Sequence, residues 1–240
     1  MIKNMRIWGD KVKTAADQYV NNDINASSDI YAQTTLPITE PVVLPGDKRG
    51  YLFLKRAFDL VVSAISLVVL VIPLVIIALI IKIDSKGPAF FLQERLGQNG
   101  KPFKIIKFRS MVVDAEKHGA VWAKKNDSRV TRVGRFLRNS RIDELPQLIN
   151  IVLGHMSFVG PRPERQVFYD KFDRNIPHFK YRLKVKPGLT GLAQIHGGYE
   201  LKPEEKIIYD LEYIETRSFF GDIKCIFKTL PLAINHKGAR

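Results

Sequence analysis

Two adjacent carboxylates, Asp143 and Glu144, lie in the stretch Arg141-Ile142-Asp143-Glu144-Leu145-Pro146-Gln147. Pro146 suits the first turn of a helix, where backbone N–H groups have no internal partner, and this places Asp143 near the N-cap, a position that aspartate favours. At the positive end of a helix dipole Asp143 is expected to have a lowered pKa, to stay ionised at neutral pH and to gather phosphate groups beside it. Alone, the pattern also describes a plain capping aspartate followed by a solvated glutamate. Cations crowd the pair. Arg129, Arg132, Arg135, Arg138 and Arg141 recur at every third position before it; on an α-helix this spacing precesses, so one or two are expected to reach the acids and the others to meet lipid headgroups or solvent. In Gly160-Pro161-Arg162-Pro163, the prolines Pro161 and Pro163 stiffen the backbone around Arg162. A guanidinium held this way suits bidentate grip of a phosphate, although a rigid loop with an exposed arginine reads the same. Lys104, Lys107 and Arg109 of FKIIKFRSM add cations at near-alternating positions. Together these residues fit phosphoryl transfer, which needs positioning and neutralisation of developing charge. The P-loop, dinucleotide-binding, zinc-protease and nucleophile-elbow patterns do not occur, and the five histidines are scattered singly.

The elements that must position these groups are suggested by the apolar pattern. From Leu60 to Ile81 runs LVVSAISLVVLVIPLVIIALII, twenty-two residues without a charge. As a straight helix it would reach roughly 33 Å, enough to cross a hydrocarbon core of about 30 Å. Pro73 lies inside the run, and a kink or break is expected there. Lys48, Arg49, Lys55 and Arg56 precede the run and Lys82 and Lys86 follow it, so the positive-inside rule gives no clear orientation. A helix that bends at Pro73 and returns to the cytoplasmic face satisfies both facts. A proline-kinked spanning helix is the commoner use of such a segment, and the residues alone favour it. The run is too far from the N-terminus and too long to be a signal peptide.

Before it, residues 1–50 read as a flexible arm rich in Asn, Ser, Thr, Pro and Asp. Trp8, Val12, Ala15 and Tyr19 near its start have the spacing of a short amphipathic helix. Residues 51–86 form the membrane segment and 87–240 a cytosolic domain. In that domain AFFLQERLGQNGKPFKIIKFRSM reads as a β-hairpin turning at Gly97, Asn99 and Gly100. Helical spacing covers 131–139 and 144–153, with a break near Asn139-Ser140-Arg141. Lys180, Arg182, Lys184 and Lys186 alternate with Tyr181, Leu183 and Val185, as in a strand with one basic face. Residues 204–236 read as one or two amphipathic helices interrupted at Gly221 and Pro231. The fold class is therefore α+β and membrane-associated: a proline-broken hydrophobic helix, short helices, a β-hairpin and amphipathic interfacial helices.

Composition limits the function classes. The 240 residues are 45% hydrophobic and 26% charged, which excludes a wholly disordered or fibrous chain. A single cysteine, Cys225, excludes an internal disulfide framework and a Cys-rich zinc site, and agrees with a reduced compartment. The net charge is +14, and residues 82–240, with thirty basic and seventeen acidic side chains, carry +13 of it. An anionic partner follows: nucleic acid, a membrane surface or a phosphorylated substrate.

KRAFD, the apolar run with its internal proline, KFRSM, RIDELPQL, MSFVGPRPE and KPGLTGLAQIHGG occur here in one order. They resemble the bacterial sugar transferases, the monotopic phosphoglycosyl transferases of exopolysaccharide, capsule and glycan assembly. The likeness covers about Tyr51 to Gly238. It implies Mg²⁺-dependent transfer of a sugar 1-phosphate from a UDP-sugar to undecaprenyl phosphate on the cytoplasmic face of the bacterial inner membrane, with release of UMP. It implies further that the helix is re-entrant and broken at Pro73, which reverses the preference for a crossing, and that Asp143 attacks the sugar-bearing phosphate to form a covalent intermediate. Glu144 would assist as acid, base or metal partner, Asp143 and Glu144 would hold the metal, and Arg162, with Lys107, Arg109, Arg141, Pro161 and Pro163 around it, would hold phosphate. UDP-glucose and UDP-galactose are the first candidate donors; inner-membrane lipids are partners, nucleic acid is not, and a homo-oligomer is left open.

This sequence departs from the family in having Ile72 before the proline, where Ser is frequent, and His155 after Gly154, where an acid is common. Any hydroxyl contribution to the bend would then come from Ser63 or Ser66. With one hydrophobic segment the chain reads as a short form of the family. Two other classes compete with the enzyme: a membrane-tethered basic module that binds nucleic acid or anionic lipid, and a scaffold for a polysaccharide-synthesis complex. The first predicts binding that collapses with salt and ignores the acidic pair.

Overall fold

The computed structural model describes residues 48–117, 127–198 and 201–234. The expected arm over 1–50 and its amphipathic start therefore lie outside the described residues, apart from residues 48–50. The apolar run belongs to one helix, α1 (Arg49–Asp84), which continues through Pro73. It is the one helix among the described residues long and apolar enough to cross a membrane. Ser63, 0% exposed, donates its hydroxyl to the Asp59 carbonyl within the same helix, nearly three turns before Pro73.

Helix α1 lies along the rest of the protein over its whole length. At its start Lys48 donates to the Arg217 carbonyl at 2.6 Å, and Lys55 to Asp222 at 2.7 Å and to the Val159 carbonyl at 3.0 Å. Arg56 donates to the carbonyls of Ile151 and Val152 at 2.7 and 2.8 Å, and Asp59 accepts the Phe158 N–H at 3.0 Å. In its middle Leu67 and Leu70 pack on a cluster of Phe103, Ile105, Leu148, Ile151 and Met156. Further along Leu74, Ile77, Ala78 and Ile81 join Ala89, Phe108 and Leu137. The opposite face of α1 exposes Val61, Ile65, Val68, Ile72, Ile76 and Ile83. Water would not tolerate such a stripe, so it needs an apolar neighbour.

The expected hairpin forms from β1 (Phe90–Leu96) and β2 (Pro102–Phe108), antiparallel, with Phe91 opposite Lys107 and Arg95 opposite Phe103. Its turn uses Asn99 and Gly100 at positive φ, a conformation that these two residues adopt readily. Next come α2 (Arg132–Asn139), a 3₁₀ turn (Ile142–Glu144) and α3 (Gln147–Val152). Thr131 caps α2 by accepting the Gly134 N–H at 2.9 Å. Two short strands, β3 (Ser157–Val159) and β4 (Gly188–Thr190), pair in parallel. Just beyond β3 the backbone of Gly160 passes so close to that of residues 186–188 that a Cβ there would lie 2.4 Å from the Lys186 carbonyl. Helices α4 (Gln166–Phe172), α5 (Leu192–His196), α6 (Pro203–Thr216) and α7 (Phe219–Ile234) complete the fold. The largest apolar cluster joins Val159, Tyr169, Phe179, Ile207, Leu211 and Ile214.

Three expectations change. The basic alternation at 180–186 is not a strand but a 3₁₀ helix (Phe179–Lys184). A period of three puts Phe179 and Arg182 on one side, and both are buried, at 2% and 4% exposure. The C-terminal break falls at Arg217-Ser218; Gly221 lies in the first turn of α7, its N–H donated to the Ser218 hydroxyl at 3.2 Å, and Pro231 lies inside the helix. Asp143 does not cap α3. It lies in the 3₁₀ turn that follows Arg141, whose φ of 57° is left-handed, and Pro146 occupies the cap position. On α7, Phe220, Phe227 and Leu230 are exposed, as an amphipathic helix lying at an interface requires.

Candidate active site

The dyad is set between two cations that arrive from different parts of the chain. Lys107, at the end of β2, places its ammonium 3.0 Å from Glu144 Oε1. Arg162, from the loop after β3, grips Glu144 with both terminal nitrogens, Nη1 to Oε2 at 3.2 Å and Nη2 to Oε1. Asp143, by contrast, accepts no hydrogen bond and makes no ion pair with the described residues, although Lys107, Arg138 and Arg162 are near enough to act on its charge. Both acids are 9% exposed.

This division sets their charge states. Burial pushes the Asp143 carboxyl up, and the neighbouring charge of Glu144 adds to that, to about 6. Burial also acts to raise Glu144, but Arg162 and Lys107 outweigh it and hold the group well below the usual carboxylate range. The expected lowering of the Asp143 pKa by a helix dipole is thus reversed, because the residue is buried beside an anion in a short turn and not at the mouth of a long helix. Glu144 is the permanent anion that organises the cations. Asp143 is the uncommitted carboxylate.

Each cation is positioned by backbone tethers. Asn150, 1% exposed, accepts the Ile106 N–H at 3.0 Å and donates to the Lys104 carbonyl at 2.8 Å, which fixes the end of β2 and with it Lys107. The Arg162 loop is held almost group by group. Val159 accepts from Lys55 and from the Tyr213 hydroxyl, each at 3.0 Å. The Gly160 N–H goes to Thr190 and the Pro161 carbonyl accepts the Gly188 N–H, each at 2.9 Å. Arg182 donates to the carbonyl of Arg162 at 2.9 Å, and Arg95 to that of Pro163 at 3.1 Å. Arg182 is itself fixed by Asp210 at 2.7 Å, a pair only 3% and 2% exposed, with its guanidinium 4.9 Å from the Phe179 ring centroid. Pro161 and Pro163 are both buried, so they stiffen the loop without facing solvent.

Of the arginine series, Arg138 and Arg141 line the pocket with the dyad, as does Arg129, which is tied to Asp127 at 2.6 Å. Arg132 and Arg135 do not line it. Arg109 has another task. Its guanidinium donates to the carbonyls of Lys86 and Ser85, both at 2.7 Å, and so satisfies carbonyls just past the end of α1, while the residue also lines the pocket. Pro73 is remote from the dyad in sequence and lies within α1. Nothing local in the sequence marks Asp210 or Asn150 for the site, and Lys55 and Arg182 read there only as a basic flank and a basic alternation; Asp59 in KRAFD is the readable signal, a lone acid at the edge of an apolar run.

Among the described residues no cluster of three or more His, Cys, Asp or Glu is set to hold a metal. The donors fit a divalent ion held by one protein carboxylate, Asp143, together with oxygens of a bound phosphate, the habit of Mg²⁺; both oxygens of Glu144 are already engaged by cations. The pocket continues beyond the dyad to Glu116 and Arg165, which lie 3.2 Å apart, and in the other direction to Phe90, Phe91, Val112 and Val113.

Residues 50–236 match the family described as bacterial sugar transferase. The chain is 43% identical over 193 residues to a UDP-N-acetylgalactosamine-undecaprenyl-phosphate N-acetylgalactosaminephosphotransferase of Aeromonas hydrophila, with 79% of this chain and 46% of the relative covered. It is 44% identical over 193 residues to a UDP-glucose:undecaprenyl-phosphate glucose-1-phosphate transferase of Klebsiella pneumoniae, covering 78% and 42%. It is 42% identical over 191 residues to an exopolysaccharide production protein of Rhizobium leguminosarum, covering 75% and 94%. The chain thus spans less than half the length of the first two.

Proposed function

The chain belongs to the bacterial sugar transferase family, and from that premise we propose that it transfers a sugar 1-phosphate from a UDP-sugar to undecaprenyl phosphate with release of UMP, as a membrane step of exopolysaccharide or capsule synthesis. The observation that carries this reading is the asymmetric dyad, Glu144 clamped by Lys107 and Arg162 beside a buried Asp143 that makes no hydrogen bond or ion pair with the described side chains. In the first half-reaction an Asp143 carboxylate oxygen bonds to the sugar-bearing phosphorus as the bridging P–O bond breaks, and UMP departs with the electron pair. In the second an oxygen of the lipid phosphate attacks the same phosphorus, and the Asp143 carboxylate is released. Arg162, held by Arg182 at its carbonyl, neutralises charge on the reacting phosphoryl group, and Lys107 supports it. Mg²⁺, held by Asp143 and phosphate oxygens, would neutralise charge on the diphosphate.

Membrane placement follows the same chemistry, since a lipid phosphate is presented at headgroup depth. Helix α1 is read as re-entrant: both its ends and its middle touch one charged domain, and a straight crossing would drag part of that domain into hydrocarbon. The site then faces the cytoplasm, where UDP-sugars are made. Relatives of nearly equal identity are named for glucose and for N-acetylgalactosamine, so the donor panel includes both, with UDP-galactose. The test is UMP release by the detergent- or nanodisc-held protein with Mg²⁺ and undecaprenyl phosphate across that panel. Lipid-dependent release from one donor supports the proposal; a folded protein silent on all of them overturns it.

The charge state of Asp143 gives a pH expectation. A carboxyl that titrates at about 6 must be ionised to attack, so UMP formation at low donor concentration falls about tenfold per pH unit below 6 and levels off above 7. A rate that stays flat down to pH 5 contradicts the assignment.

A further inference from the structure

We infer that the apolar end of the active-site pocket, walled by Phe91, Met111 and Val113, seats the first isoprene units of the lipid acceptor, so that the protein grips the prenyl chain and not only its phosphate. The inference rests on the proposed transfer reaction. Successive residues on one face of a strand are roughly 7 Å apart, and the β1 face that lines the pocket reads Phe91, Gln93, Arg95, from apolar to cationic. The facing segment shows the same gradient, from Met111, Val112 and Val113 to Glu116, whose carboxylate accepts from Gln93 at 3.2 Å. The two gradients run in the same direction, because Val113 lies beside Gly87 and Arg109 at the end of α1 whereas Glu116 meets Arg165.

The apolar end lies beside the segment that follows the membrane helix, where Val113 is close to Gly87. Phe91, Val112 and Val113 are 39%, 48% and 61% exposed, and Ile80 and Ile83 on the last turns of α1 are 44% and 86% exposed. The apolar end of the pocket thus exposes hydrocarbon close to the end of α1. It ends at charge: Phe91 is paired across the hairpin with Lys107, whose ammonium is 3.0 Å from Glu144. An apolar wall one residue pair away from phosphate-neutralising cations fits an amphipathic ligand with an anionic head and a hydrocarbon tail. A nucleoside diphosphate-sugar has no such tail.

The test compares an acceptor phosphate without any prenyl unit, methyl phosphate, as the short acceptor with undecaprenyl phosphate as the long one, on the full chain in nanodiscs. Phe91→Ser and Val113→Ser are each measured against the wild type, and each variant's turnover is normalised to its own stoichiometric UMP burst without acceptor. The expected result is a kcat/KM about tenfold lower for the long acceptor with a change of less than twofold for the short one, and Phe91→Leu restores the preference. Equal losses on both acceptors, or no loss on the long one, overturn the inference, the second outcome meaning that the chain stays in the bilayer. Wild-type protein that releases no UMP from any UDP-sugar, with acceptor or without it, overturns the transfer reading itself. Val113 is largely exposed, so its variant reports even if Phe91→Ser folds poorly.

Discussion

Asp143→Asn is expected to leave the protein folded and to lower UMP release by about three orders of magnitude or more, the scale on which loss of a covalent nucleophile is felt. The amide is nearly isosteric with the acid and carries no charge, and because no described side chain bonds to Asp143 the exchange breaks no described contact. It even removes a buried anion from beside Glu144, so the thermal midpoint should hold or rise. Unfolding followed in parallel with UMP release checks both halves. Retained turnover would remove the covalent role from Asp143. Glu144→Gln should behave differently, since it strips the counter-charge from both Lys107 and Arg162 and costs stability as well as activity.

Asp210→Ala is expected to destabilise the protein by about 3–5 kcal/mol, because it leaves the Arg182 guanidinium buried without its partner. In a chain of this size each kcal/mol moves the midpoint by roughly 2–4 °C, so a fall of about 10 °C should be seen by thermal unfolding. Replacing both partners, Arg182→Met with Asp210→Leu, should recover most of that stability, since an apolar pair of similar volume needs no desolvation of charge. Activity should not recover with it. The Arg162 carbonyl would still lack the donor that now lies 2.9 Å away, and the phosphate-binding guanidinium would lose its set. Full activity in the doubly substituted protein would show that the pair serves stability alone.

Much of the scaffold was legible. Asn99-Gly100 between apolar runs announces the hairpin, the uncharged run announces α1, and Thr131 announces the start of α2. The chemistry-bearing types were legible too: an acid pair, a proline-locked arginine and strand lysines. The allocation of roles among them was not. Whether Asp143 or Glu144 is clamped depends on Lys107 and Arg162 arriving from 37 and 18 residues away, which no local pattern encodes. The raised pKa of Asp143 has the same origin, since burial and a neighbouring anion override a helix-end argument made from Pro146. At 180–186 an alternation of period two hid a contact of period three, because Arg182 answers to Asp210, 28 residues further on. Arg109, one of the cations that line the pocket, also holds the carbonyls of Ser85 and Lys86 past the end of α1, a tie that no local pattern announces.

The central claim is that Asp143 carries the sugar phosphate between donor and acceptor. Intact-mass measurement of the protein, incubated with its UDP-sugar and Mg²⁺ in the absence of lipid phosphate and quenched in acid, tests it most directly. A mass gain of one sugar phosphate, mapped to the peptide holding Asp143 and discharged by undecaprenyl phosphate, is the predicted result. Protein that turns over with lipid present yet gains no mass without it, over times when UMP should form stoichiometrically, would mean direct transfer between the two substrates.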